Sequence, residues 1–217
     1  MKQLKHLIAA GAVLAACVTT SPAATEIFTT STPISSALTD WSSSLSFQQF
    51  DASLGALTSV ELNLSSTLTT TLTINNTAGS ASAGTANTWV EITVQDFGNN
   101  LTAPFNVYST GFSYSLGSGN GTSSGLLTGF DGSDLTYTLG SILAEFTGGG
   151  SISLNAGTFT QTQLSNTGGN TTSSQVTDAS LTGSVTYTYT PVPEPSTFGL
   201  LALGLGALPI LRRRQRQ

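Results

Sequence analysis

The sequence predicts an all-β fold, an antiparallel β-sandwich, and three observations predict it. Apolar side chains alternate with polar ones in several runs, and short Gly/Asn/Ser clusters separate those runs. Between the two ends of the chain, no stretch sustains an apolar period of 3.6 residues. The clearest runs set Val60, Leu62 and Leu64 against Ser59, Glu61 and Asn63, then Leu68, Leu72 and Ile74 among threonines. Further on, Val90, Ile92 and Val94 alternate with Glu91 and Thr93, and Val185, Tyr187 and Tyr189 with Thr186 and Thr188. A period of two turns one set of side chains to a core and the other to water. Turn clusters fall at residues 75–79, 97–100, 117–121 and 148–150. Strands and turns in this rhythm build two packed sheets. A β-solenoid is the alternative, but it needs a fixed repeat period, and the sequence has none.

The chain divides into four parts. Residues 1–23 read as a signal peptide: Lys2 and Lys5 form the charged start, Leu7 to Val18 the apolar core, and Ser21-Pro22-Ala23-Ala24 the small-residue cleavage region. Cleavage falls after Ala23 or Ala24, which implies the Sec export machinery and signal peptidase as partners. Leu14-Ala15-Ala16-Cys17 supports a competing reading as a lipoprotein box, with Cys17 lipidated; a cysteine inside an apolar core is also simply a small hydrophobe. An N-terminal segment (24–40) leads into the Thr/Ser-rich sandwich domain (41–190), and residues 191–217 form a separate tail.

That tail has three ordered features. Pro191-Val192-Pro193-Glu194-Pro195 is extended and exposed, because proline fixes φ and moves the preceding residue out of the helical region. An apolar run from Phe198 to Leu211 follows, predicted as a single transmembrane helix; at about 1.5 Å per residue it covers roughly 21 Å, short of a roughly 30 Å hydrocarbon core. Arg212, Arg213, Arg214 and Arg216 then place the C-terminus in the cytoplasm and the proline motif on the outer side. These residues closely resemble the PEP-CTERM sorting signal, with Val192, Pro193, Glu194 and Pro195 as its sorting and processing motif. The resemblance implies processing by an exosortase in a Gram-negative bacterium that exports polysaccharide. It implies a transient inner-membrane anchor and a destination at the cell surface or in the extracellular matrix.

Charge narrows the chemistry of the body. All six Lys and Arg lie in the two end segments, as does the one histidine, His6. Of the eleven acids only Glu194 is in the tail, so residues 24–192 carry ten carboxylates against no cation, a formal charge of −10. Without His, Cys or Lys there is no Ser-His-Asp or Cys-His pair and no Schiff-base lysine. Zinc loses its usual ligands, and no Arg or Lys clamps a phosphate. Such a body repels nucleic acid. No cofactor and no enzymatic activity are expected. Paired-carboxylate glycoside hydrolysis and oxygen-ligand calcium binding survive the exclusion, neither with a visible signature.

The body offers few candidate sites. Asp131-Gly132-Ser133-Asp134 sets two carboxylates around a glycine, a weak calcium candidate that reads first as a turn. Trp41, Trp89, Phe112, Tyr114, Tyr137, Tyr187 and Tyr189 are aromatics at strand positions, which serve a core more often than a sugar-stacking platform. The run from Phe50 to Leu64 and the closing Thr182–Thr190 stretch resemble choice-of-anchor E domains, secreted β-domains that end in one of several sorting signals. The resemblance covers about residues 41–190 and implies no activity. The expected role is structural or adhesive, in an exopolysaccharide or biofilm matrix. The alternative is a carbohydrate-binding module at the cell surface, with calcium as an assisting cation.

Overall fold

The computed structural model describes residues 24–29, 33–96, 98 and 101–192. Among the described residues ten strands form two five-stranded antiparallel sheets. Sheet A contains β1 (Ala24–Thr29), β2 (Ile34–Leu38), β4 (Gly55–Asn76), β8 (Gly121–Tyr137) and β10 (Thr171–Pro191). Sheet B contains β3 (Ser42–Gln48), β5 (Ser82–Gln95), β6 (Thr102–Tyr108), β7 (Phe112–Leu116) and β9 (Ser151–Gly168). The expected all-β sandwich is what the chain forms. In sheet A, β10 and β4 are the central pair; β8 flanks β4, while β1 and β2 follow one another along the far side of β10. In sheet B, β9 and β5 are central; β3 flanks β9, and β7 and β6 share the far side of β5.

Two features differ from the sequence reading. The runs around residues 59–64 and 68–74 are one 22-residue strand, β4. Ser65, Ser66 and Thr67 carry neither Gly nor Pro to break it, and they pair across to β10: the Ser66 hydroxyl donates to the Ser180 carbonyl, and the Ser65 and Thr182 hydroxyls bond at 2.7 Å. The segment 24–40 is also not separate, since β1 and β2 pair with β10 inside sheet A. A short helix, α1 (Gly140–Glu145), lies between β8 and β9; six residues are too few for a helical period to register in the sequence.

Strict alternation puts the core between the sheets. Along β4 every second residue from Val60 to Asn76 is buried, and the intervening ones face outward. A one-residue slip would exchange these faces, so burial fixes the register. Leu62, Val185 and Tyr187 of sheet A share one apolar cluster with Leu45, Ile92 and Leu154 of sheet B. Gly183 lies where Phe47 and Leu45 come closest: a Cβ there would stand 3.1–3.2 Å from their side chains and from that of Leu64.

α1 closes one end of the sandwich. Its Ile142 is buried, as is Phe146 at its C-terminal cap. The Phe50 amide donates to the Phe146 carbonyl at 2.8 Å, and the Phe146 and Tyr187 rings meet edge-on at 6.2 Å. Nearby, the Asp96 carboxylate accepts from the Leu101 and Gly98 amides at 2.9 and 3.1 Å. Burial works to raise this carboxyl; the Leu101 amide, the Glu145 side chain and the Gly98 amide outweigh it and hold the group below the usual carboxylate range.

Toward the other end, a smaller cluster gathers Leu72, Ile74, Ala86, Tyr114 and Leu116. Buried hydroxyls lie next to it. Thr70 and Thr177 bond at 2.7 Å, Thr88 and Thr162 at 3.0 Å, and Gln175 accepts from the Thr88 hydroxyl at 3.3 Å. Interior polar groups survive in a core because they satisfy one another.

Candidate functional site

The outer face of sheet B carries a group of exposed aromatic side chains that the core does not use, Tyr108 and Phe159 among them. Its composition follows from register. Val90, Ile92 and Val94 of β5 point inward, so Trp89, Glu91 and Thr93 point outward. Opposite them on β6, Trp89 pairs with Tyr108, Glu91 with Asn106 and Thr93 with Pro104. On the other side, β9 sets Gln161 against Trp89, Phe159 against Glu91 and Gly157 against Thr93. All these positions share one parity and one face.

Three rings therefore share this face: Tyr108 directly across from Trp89, and Phe159 offset on β9. Trp89 and Tyr108 are stacked, with centroids 6.0 Å apart and planes 28° from parallel. Phe159 sits one register step away on β9, a diagonal that long side chains bridge. Tyr108 is 54 % exposed and Phe159 57 %, unusual for large rings on a strand with a sheet to cover. Beside the row lies a trough of about 360 Å³, lined by Glu91, Thr93, Gly157, Thr158 and Phe159. Gly157 forms its floor, and packing does not demand glycine there. A Cβ would meet only the Trp41 carbonyl oxygen, at 3.8 Å, an ordinary contact.

The trough's rim is held in place by the corner between β2 and β3. Asp40 takes a left-handed φ of 67°, and the Thr158 hydroxyl accepts from the Asp40 and Trp41 amides at 2.9 and 3.2 Å. The Asp40 carboxylate in turn accepts from the Thr160 amide at 3.1 Å. This corner bonds β9 where β3 has ended. The trough thus rests on a bonded frame, with acceptors and a ring edge along its walls.

Of the aromatics singled out in the sequence, Trp89 alone helps form this face. Tyr187 is fully buried and its hydroxyl donates to the Gln48 carbonyl at 2.9 Å; burial pushes that phenol well above the ordinary tyrosine value. Tyr189 packs on Phe50 at 5.0 Å, and Tyr137 and Trp41 pack against the main cluster. The Trp41 indole N–H donates to the Ala179 carbonyl at 3.3 Å. Phe112 and Tyr114 belong to the smaller cluster. Tyr108 and Phe159 went unremarked in the sequence; the signal available was their position in strand-like runs at outward parity.

The Asp131–Asp134 run is strand, not turn. It lies within β8, where Asp131 pairs with buried Ser66 and Asp134 with outward-facing Asn63. Three residues apart in a strand, the two carboxylates leave opposite faces and do not converge on one ligand position. Among the described residues no group of three or more His, Cys, Asp or Glu is placed to hold a metal ion.

The sorting motif starts where the sheet ends. Pro191 is the last residue of β10 and pairs with Gly55; the Val192 amide donates to the Leu54 carbonyl at 3.1 Å. Pro193, Glu194, Pro195, the predicted membrane helix and Arg212, Arg213, Arg214 and Arg216 lie outside the described residues, as do Cys17 and the signal peptide. Among the described residues no helix is long and apolar enough to cross a membrane.

Comparison with known proteins adds one informative match. No curated protein matches the chain. Similar solved structures include a chain of the T13 particle of infectious bursal disease virus, at 14 % identity over 90 % of this chain and 48 % of that one, with a TM-score of 0.23. Another is the Eiger TNF of S. frugiperda, at 9 % identity over 80 % of this chain and 97 % of that one, with a TM-score of 0.24. The chain spans about half the length of the viral one, and at these TM-scores neither likeness bears on fold or function. The family model for the PEP-CTERM protein-sorting motif matches residues 191–216. The chain thus carries a PEP-CTERM signal, which supports a secreted protein sorted to the cell envelope by an exosortase.

Proposed function

We propose that the chain is a non-enzymatic protein of a Gram-negative cell surface or exopolysaccharide matrix, where its sandwich does structural and adhesive work in a biofilm. The observation that carries this reading is the sorting motif at residues 191–216, joined directly to the last strand at Pro191 and Val192. Removing the tail next to that junction, together with the signal peptide, would release one folded domain stripped of every cationic side chain. Its body then carries only carboxylate charge, which argues against nucleophile–histidine catalysis and against phosphate recognition. The resemblance of residues 41–190 to choice-of-anchor E domains fits the same role.

C-terminal mass mapping of the protein from its host, with and without the exosortase, tests the reading. The expected mature chain ends near Pro193–Pro195, is found outside the inner membrane, and stays uncut and membrane-bound when the exosortase is absent. Mature protein that still ends in Arg216-Gln217 in the competent host contradicts it.

A further inference from the structure

The outer face of sheet B has the makings of a binding site, and its chemistry selects the ligand. We propose that the row Tyr108–Trp89–Phe159, with the trough over Gly157, binds a neutral glycan chain. The inference rests on the surface role proposed above and deepens it by naming a ligand class and the residues that would take it.

Four observations support it. First, the rings lie on one face, Tyr108 across from Trp89 and Phe159 offset on β9, and the 6.0 Å separation of Trp89 and Tyr108 is comparable with the length of one hexose unit. Flat rings pack against the C–H faces of pyranoses, a contact that loses little solvation because both surfaces are apolar. Second, hydrogen-bonding groups flank the rings: Asn106 and Glu91 occupy one cross-strand row, and Gln161 lies beside Trp89. Amides both donate and accept, and a carboxylate accepts strongly, which suits vicinal hydroxyls. Among the described residues no side chain occupies the Glu91 carboxylate. Third, the trough is open because residue 157 has no side chain, although the backbone there would accept one. Fourth, the body carries ten acids and no cation, so an acidic polysaccharide would be repelled and a neutral one would not.

Sheet A also carries an open recess, of about 390 Å³ between Pro33, Asn63, Asp134 and Thr182, but no aromatic ring lines it. Its exposed apolar residues on β8, Leu126 and Phe130, are separated by Thr128 and are not stacked. Two of its outward hydroxyl pairs bond across the strands, Ser65–Thr182 and Thr67–Ser180 at 2.7 and 2.6 Å.

The test is calorimetric titration of the exported protein, recovered from its host, with cellohexaose and mannohexaose as neutral probes and hexagalacturonic acid as the acidic one. Four variants accompany it: Trp89→Ala, Phe159→Ala, Gly157→Val and, on sheet A, Thr71→Ala. We expect saturable binding of at least one neutral probe, weakened about tenfold by each ring truncation. Gly157→Val should block binding while leaving the melting temperature within a degree or two, which separates loss of the site from loss of the fold. Thr71→Ala should leave affinity unchanged. Equal affinity in all variants, preference for the acidic probe, or no binding by any probe overturns the inference. So does concentration-dependent dimerisation that Trp89→Ala abolishes, since the face would then belong to a second copy. Correct tail processing with no glycan binding defeats this inference alone; an uncut tail with intact binding defeats only the sorting role.

Discussion

The two outer faces of the sandwich arise from the same alternation yet carry different chemistry. On sheet A the outward residues of β4 are Glu61, Asn63, Ser65, Thr67, Thr69, Thr71, Thr73 and Asn75, facing Ser, Thr and Asp residues and the exposed Val176 of β10. Two hydroxyl pairs on this face, Ser65–Thr182 and Thr67–Ser180, bond across the strands. On sheet B the outward positions hold stacked rings, a carboxylate and amides around an open trough. Threonine keeps a strand soluble without positive charge, whereas aromatic residues at the same positions create a surface that gains from a partner. The difference teaches that the strand pattern sets which residues face out, and that the identity of those residues sets the chemistry a face can offer a partner.

The sharpest way to break this contrast is to give sheet B the residues of sheet A. Trp89→Thr combined with Phe159→Thr should cost more than tenfold in neutral-glycan affinity by titration. The circular dichroism spectrum should stay that of the native sheet, because threonine suits an exposed strand position. Unchanged affinity would erase the distinction between the faces.

Next in size is a comparison of two hydroxyl pairs of equal length. Thr70–Thr177 is interior and Ser65–Thr182 is exposed, both at 2.7 Å. Thr70→Val leaves the Thr177 hydroxyl without this partner in the core and should destabilise the protein by about 1–3 kcal/mol in urea unfolding. The double change Thr70→Val with Thr177→Val should recover part of that loss, since both polar groups then leave. Ser65→Ala, with water at hand to replace it, should cost under about 0.5 kcal/mol. Equal losses at the two sites would show that burial does not set the weight of these bonds.

The smallest expected effect is on acid stability. The Asp96 carboxyl is lower in the folded chain than when unfolded, so its contribution is complete above the ordinary aspartate value of about 3.9 and is lost as pH falls through the folded one. Thermal unfolding should therefore show a plateau down to about pH 4 and a decline below it, shallower in Asp96→Asn. A decline already under way at pH 6 would contradict that assignment.

Much of this was legible in the chain itself. The alternation around Val60–Leu64 and Val90–Val94 gave the strands, and the order of prolines, apolar run and arginines gave the sorting signal. The length of β4 was hidden because Ser65-Ser66-Thr67 looks like a pause; its continuity comes from pairing with residues more than a hundred positions away. The aromatic row was hidden for the same reason. Tyr108, Trp89 and Phe159 come from three strands, and nothing local ties Phe159 to a position opposite Glu91. Asp131 and Asp134 misled because Asp-Gly-Ser is turn chemistry in isolation, and only pairing with Ser66 through Asn63 holds it extended.

The chain's two tryptophans permit one direct test of the central claim. Trp41 is tethered through its indole N–H to Ala179, while Trp89 lies on the proposed glycan face. In a two-dimensional nitrogen–proton spectrum of the exported protein, the two indole signals can be assigned with Trp89→Phe and followed as cellohexaose or mannohexaose is added. The account predicts that the Trp89 signal moves saturably with at least one of them, and further than that of Trp41, whose indole points to Ala179. A stationary Trp89 signal with both sugars at millimolar concentration, or a larger movement of Trp41 than of Trp89, would contradict it.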